Sequence, residues 1–216
     1  ALSYPNGTMA LAAAMYAVGL RRGDELICPS VTYWASAAEV YQLGATVVFA
    51  DLEPDTLCID PDDIERHISD RTKAIMVVHY AGHPCDMDRI MPIAEKHNLK
   101  VIEDVSHAHG GLYKGRTVGT IGHVAAMSMM TGKAFAIGEG GMLTTDDRDL
   151  LELAVGLTHY RRHGDVLKKP EHIAAAGIPW GGYKGRLNQT AAAMGREQLK
   201  HYPDRIAEIQ KSLNYF

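Results

Sequence analysis

The sequence predicts an α/β protein, a three-layer sandwich with helices on both faces of a mostly parallel β-sheet. Three observations carry this. Strand-length apolar runs alternate with helical stretches along most of the 216 residues, which is the rhythm of βαβ units. The run Ala74–Tyr80 (AIMVVHY) is apolar almost throughout and of β-branched type, as expected of a strand covered on both faces. Residues such as Gly44 and Asp60-Pro61 punctuate the alternation where helices should end or begin.

The elements follow in order. Gly7–Leu20 reads as an alanine-rich buried helix and Glu25–Pro29 (ELICP) as a short strand. Ala35–Leu43 is a helix closed by Gly44, and Thr46–Asp51 (TVVFAD) is the next strand. Asp62–Ile68 is helical, with Asp60 as its cap and Pro61 at the first helical position. The strand Ala74–Tyr80 leads to a helix at Asp86–His97 and a strand at Lys100–Glu103. Strand character returns at Ala125–Met130 and Gly141–Thr145, and a further helix starts at Arg148.

Composition narrows the function classes. A chain of this length buries one substantial core, and 46% hydrophobic with 22% charged residues is ordinary globular usage. A formal charge of -4 offers no basic surface for nucleic acid. The cysteines Cys28, Cys58 and Cys85 lie far apart with no CxxC spacing, which argues for a reduced, cytoplasmic chain and against a cysteine zinc site. The apolar stretch Met9–Leu20 is shorter than the roughly 20 residues that span a bilayer. Its basic residues, Arg21 and Arg22, follow it instead of preceding it, so it reads as a buried helix and not as a membrane or signal segment. The chain starts at Ala1, directly at a motif, which points to sequence upstream.

In parallel sheets, ligands sit beyond the carboxyl ends of the strands. Tyr33, Tyr80, Asp104 and Lys133 all fall just after predicted strands. Asn6-Gly7-Thr8 opens the first helix, either as an anion site using free N–H groups and the helix dipole or as an ordinary cap. Asp104, in VIEDVSHAHG, is either a turn cap or a carboxylate for a protonated ring nitrogen, with His107 beside the same crevice. Lys133, in MSMMTGK, is either a surface lysine or an amine poised to form an imine. Gly138-Glu139-Gly140-Gly141 is not a GxGxxG and opens no βαβ unit, so a dinucleotide fold is discounted. The order is more specific than any single residue. Pyridoxal phosphate (PLP) needs an anion cradle, an aromatic for its ring, a carboxylate at N1 and a lysine. A metal-dependent hydrolase using Asp104, His107 and His109, with His79 and His83, is the contrasting reading, although no HExxH-type spacing occurs. A non-catalytic regulatory relative is a third.

The segments NGTMAL, GDELICPSVTY, GATVVFADLEPDTLCIDP, RTKAIMVVHYAG, VIEDVSHAHG, GKAFAIGEGGMLTTDD and GYKGRLNQTAAAMGREQL together resemble the DegT–StrS family of sugar aminotransferases, within fold-type-I PLP enzymes. The resemblance implies phosphate contacts from Gly7, Thr8 and Ser128, and ring stacking by Tyr33. It places Asp104 at the pyridine nitrogen and His107 at the phenolic oxygen. Lys133 becomes the Schiff-base lysine and proton shuttle; related sugar dehydratases carry His there, so lysine favours transamination. The implied reaction moves an amino group from glutamate or glutamine to a keto-sugar, nucleotide-linked, or to a keto-cyclitol. A homodimer is implied, with Lys184 or Arg186 reaching the neighbour's cofactor phosphate. This sequence reads Lys184-Gly185-Arg186 where the family has N-Y-R, and Met127-Ser128-Met129 where it has F-S-F. Residues 1–200 correspond to the large PLP-binding domain, and residues 201–216 to the start of a connection to a small C-terminal domain.

Overall fold

A computed structural model describes residues 1–159, 163–175 and 182–213. Its strands are β1 (Leu2–Tyr4), β2 (Glu25–Pro29), β3 (Thr46–Ala50), β4 (Thr72–Val78), β5 (Lys100–Asp104), β6 (Leu112–Tyr113), β7 (Arg116–Thr117), β8 (Val124–Ser128) and β9 (Gly141–Thr144). Its helices are α1 (Gly7–Ala17), α2 (Ala35–Ala38), α3 (Pro61–Arg66), α4 (Met87–Lys96), α5 (Arg148–Thr158), α6 (His163–Val166), α7 (Pro170–Ala175) and α8 (Gln189–Leu213). Seven strands make one sheet in the order β1-β9-β8-β5-β4-β2-β3, and β6 and β7 form a separate hairpin. Neighbours from β3 through β8 are parallel; only β9 runs against its two partners. The predicted α/β sandwich with a mostly parallel sheet is the fold found.

The period of two along each strand divides the core into two layers. On β2, Leu26 and Cys28 face α1 and α5, whereas Ile27 faces α3 and α4. On β4, Met76 and Val78 belong to the first layer, Ile75 and Val77 to the second. All of these are buried, which is why β4 reads as a continuous apolar run. Each such side chain contributes about 1.5–3 kcal/mol when fully buried.

Helix ends differ from the sequence reading in instructive ways. Asn6 caps α1 by accepting the Met9 N–H at 2.8 Å. The helix stops at Ala17 and not at Leu20, because Gly19 takes a φ of 93° and Leu20 N–H turns back to the Met15 carbonyl. The predicted helix Ala35–Leu43 is α-helical only to Ala38 and tightens to a 3-10 helix over Glu39–Leu43 before Gly44. Asp60 and Pro61 start α3 as expected.

The sheet also buries a charge. Glu103, inside β5, is fully inaccessible. Its carboxylate accepts the N–H groups of Gly119, Ile121 and Gly122 at 2.7, 2.8 and 2.6 Å, and faces His79 Nε2 at 3.0 Å. Burial pushes the carboxyl up, but His79 and the Gly119 and Gly122 amides outweigh it and hold Glu103 below the usual glutamate value. One carboxylate thus pins the turn at 119–122 and the end of β4 to β5.

Glu103→Gln presents an NH₂ group to this cluster of donors, so destabilisation of about 3 kcal/mol is expected. Because the folded value is depressed, the stabilisation is fully present above the unfolded glutamate pKa of about 4.3. It disappears as pH falls through the folded value. Urea unfolding at neutral pH should separate wild type from variant, and the gap should shrink on acidification. A gap that persists unchanged in acid would contradict this role.

Candidate active site

The carboxyl ends of β2, β5 and β8 open onto one cavity of about 440 Å³. Gly7, Thr8, Tyr33, Asp104, His107, Ser128 and Lys133, seven residues singled out in the sequence, all line it. They come from four regions of the chain, gathered by the parallel order of the strands.

Two glycines let α1 start against the sheet. A Cβ on Gly7 would lie 2.6 Å from Ser128 Cβ, and a Cβ on Gly141 would collide with the Asn6 carbonyl oxygen. Without side chains at these points, the first turn of α1 comes to rest beside the end of β8. The first amides of a helix have no partner within it. Asn6 takes that of Met9, which leaves Gly7 and Thr8 on the cavity wall at the positive end of the dipole. Ser128 adds a hydroxyl to the same corner. A small anion fits there.

Asp104 is buried, and both of its oxygens are already oriented. Oδ2 accepts the Ser36 hydroxyl at 2.8 Å and Oδ1 accepts the Ser106 N–H at 3.0 Å. Ser36 in turn accepts from the Thr32 hydroxyl at 2.8 Å. The relay of hydroxyls and the Ser106 amide thus fix where both carboxylate oxygens lie. Sequence reasoning missed Ser36, Thr32 and Ser106, and the signal was weak: three hydroxyl residues among many.

His107 is exposed at the cavity edge, with its ring 5.9 Å from that of Tyr80 in an edge-on contact. Desolvation, helped by the Lys133 charge and opposed by Asp104, lowers its pKa below the ordinary histidine value. At neutral pH it is therefore a neutral hydrogen-bonding group. Lys133 lies half-buried in the loop after β8, which ends at Ser128 and not at Met130 as expected. The loop is braced by Thr131 N–H to the Gly138 carbonyl and Met129 N–H to the Gly140 carbonyl, at 2.9 and 2.8 Å. Tyr33 stands at the mouth, 59% exposed, its ring tilted against that of Trp34 at 5.3 Å between centroids.

Lys184 and Arg186 do not line this cavity within one chain. They are exposed on a segment held by Tyr183 N–H to the Leu157 carbonyl and Gly185 N–H to the Thr158 carbonyl, at 2.7 and 2.9 Å. The hydrolase reading is not supported. Asp104, His107, His109, His79 and His83 do not form a metal-binding group among the described residues. His79 is committed to Glu103 and to the Cys85 N–H at 3.1 Å. His109 is buried against Phe135, and burial pulls it down to about 4.

An anion corner, an oriented carboxylate and a lysine around one cavity fit PLP, with its phosphate, ring nitrogen and aldehyde. The profile of the DegT/DnrJ/EryC1/StrS aminotransferase family matches residues 1–216. GDP-perosamine synthase of Escherichia coli O157:H7 is 39% identical over 96% of this chain and 55% of its own length. The L-glutamine:scyllo-inosose aminotransferase of Streptomyces griseus is 39% identical over 88% of this chain and 42% of its own. A Streptococcus pneumoniae protein of sugar-aminotransferase type, solved in its PLP form, superposes with a TM-score of 0.82 at 28% identity, over 94% of this chain and 55% of that one. The chain spans about half the length of the curated relatives it matches. The cofactor indicated is pyridoxal phosphate. Sequence, fold and cavity agree, and the chain belongs to the DegT/DnrJ/EryC1/StrS aminotransferase family.

Proposed function

We propose that the protein is a PLP-dependent aminotransferase. It moves an amino group from glutamate or glutamine to a keto-sugar, nucleotide-linked, or to a keto-cyclitol. The observation that carries this reading is the single cavity that joins the α1 N-terminus, the buried Asp104 and Lys133. The acceptor classes rest on the relatives, one named for a GDP-linked sugar and one for a cyclitol with glutamine as donor.

When bound, PLP supplies an electron sink and a carbon that exchanges amines. The chain's residues do the rest. Gly7, Thr8 and Ser128 bind the phosphate, and Tyr33 packs on the ring. Asp104 holds a proton on the ring nitrogen, since its oxygens accept but do not donate in this hydrogen-bond arrangement. Neutral His107 orients the phenolic oxygen. Lys133 Nζ would hold the cofactor and would move the proton at the substrate Cα.

The reading extends to a homodimer, with Lys184 or Arg186 of one copy reaching the phosphate of the other. Among the described residues, a phosphate carrying up to two charges meets no lining cation besides Lys133, whose amine would be used by the cofactor. The exposed aromatics Tyr33, which lines the cavity, and Trp34, packed against Tyr33, offer apolar area at the mouth for such a contact. Residues 1–200 are read as the cofactor-binding domain and 201–216 as the start of a connection to a smaller one. A cytoplasmic setting fits the three free cysteines.

Two experiments test this on the full-length protein. With PLP bound, glutamate or glutamine alone should bleach the cofactor's visible band, and a keto-sugar should restore it. Asp104→Asn keeps the side chain's shape but not its charge, so turnover should fall about 10²-fold or more with near-normal folding. Normal turnover in that variant, or a band indifferent to amino donors, would refute the assignment. For the dimer, Lys133→Ala chains mixed with a Lys184→Ala/Arg186→Ala chain should regain activity. The hybrid has one site with an intact lysine and intact partner cations. Two inactive partners that stay inactive after exchange of subunits would remove the contact in trans.

A further inference from the structure

Ser36 is fully buried behind the cavity wall. Its two side-chain partners, Thr32 and Asp104, both line the cavity, whereas Ser36 itself does not. We propose that Ser36 is a positioning residue for the aminotransfer reaction: its hydroxyl, oriented by Thr32, sets the Asp104 carboxylate against the cofactor's ring nitrogen. The proposal rests on the reading of this cavity as a PLP site.

The direction of the relay follows from the groups themselves. A carboxylate accepts hydrogen bonds and does not donate them. The 2.8 Å contact between Ser36 Oγ and Asp104 Oδ2 therefore uses the serine's single proton. The contact between Thr32 Oγ1 and Ser36 Oγ, also 2.8 Å, must then be donated by Thr32. The chain of hydrogen bonds runs one way, from Thr32 through Ser36 to Asp104. Thr32 touches the carboxylate only through Ser36, so its influence on Asp104 passes through that one hydroxyl.

The backbone holds the relay in place. Ser36 N–H donates to the Tyr33 carbonyl at 3.0 Å, in the turn that leads into α2. From inside β2, Cys28 Sγ donates to the Ser36 carbonyl at 3.6 Å. Ser36 is thus anchored to β2 by its backbone and to the end of β5 by its side chain.

The local sequence argues for a role beyond packing. Ser36 stands between Ala35 and Ala37, and Ala38 follows. Alanine at position 36 would be the better helix former and would bring no polar atom into the core. The hydroxyl stabilises a particular placement of Asp104. Without it, the carboxylate keeps the Ser106 N–H on Oδ1 at 3.0 Å but loses the donor on Oδ2, and a single contact leaves the group free to pivot.

The test uses the full-length protein loaded with PLP that carries nitrogen-15 in its ring. The ring-nitrogen resonance reads the contact with Asp104 independently of turnover. Ser36→Ala should move that resonance from the wild-type position toward that of Asp104→Asn. It should also slow bleaching of the visible band by glutamate or glutamine about tenfold, the size of one lost hydrogen bond to a charged group. Thr32→Val, a milder change to the fold, should move the resonance in the same direction by less. The double variant should match Ser36→Ala alone, because Thr32 acts through Ser36. If Asp104→Asn leaves the resonance at the wild-type position, the PLP reading of the site falls and this proposal with it. If Asp104→Asn moves it while Ser36→Ala does not, or if the effects of Ser36→Ala and Thr32→Val simply add, the relay is overturned and the PLP reading stands.

Discussion

Neighbouring residues of a β-strand face opposite sides of the sheet, and at the end of β5 both are carboxylates. Glu103 faces inward to a cage of amides and His79; Asp104 faces the cavity. The site depends on this division. Glu103 fixes the strand's end by bonding the turn at 119–122, and the His79 N–H to the Asp104 carbonyl at 3.2 Å ties the end of β4 to it. Asp104 is then held at a set height and angle by Ser36 and Ser106. A carboxylate that acts electrostatically on a ligand needs that rigidity, because misplacement weakens such a contact.

The second constraint is steric. A helix N-terminus serves as an anion site only if nothing stands between its amides and the ligand. Gly7 lets α1 begin against Ser128, and Gly141 lets β9 pass the Asn6 carbonyl. These contacts bring an antiparallel strand, β9, and a parallel one, β8, to the same corner as α1. The corner formed by Gly7, Thr8 and Ser128 and the Asp104 carboxylate therefore rest on a single piece of sheet.

Much of this was legible in the sequence, for identifiable reasons. Strands buried on both faces announce themselves by composition, as β4 does, and caps such as Asp60-Pro61 are local. Tyr33, Asp104 and Lys133 stand out in the sequence because strand ends are where ligands sit, and Ser128 through the family resemblance; the fold brings all four to one cavity. Other features depend on contacts that no local pattern reveals. Glu103 reads as a charge beside the more interesting Asp104, and its burial follows from amides at 119–122. Ser36 reaches Asp104 only because α2 folds over β5. The strand β1 is three residues long before Pro5, and α8 is largely exposed with Pro203 inside it, so neither carries a clear periodic signal. The hairpin of β6 and β7 is too short to declare itself.

The central claim is that Lys133 is the residue on which this cavity holds its cofactor. Borohydride reduction of the full-length protein loaded with PLP, followed by peptide mapping, tests it most directly. The account predicts the pyridoxyl label on the peptide containing Lys133 and on no other lysine. Label on a different lysine, or none on Lys133 at full cofactor loading, would contradict it.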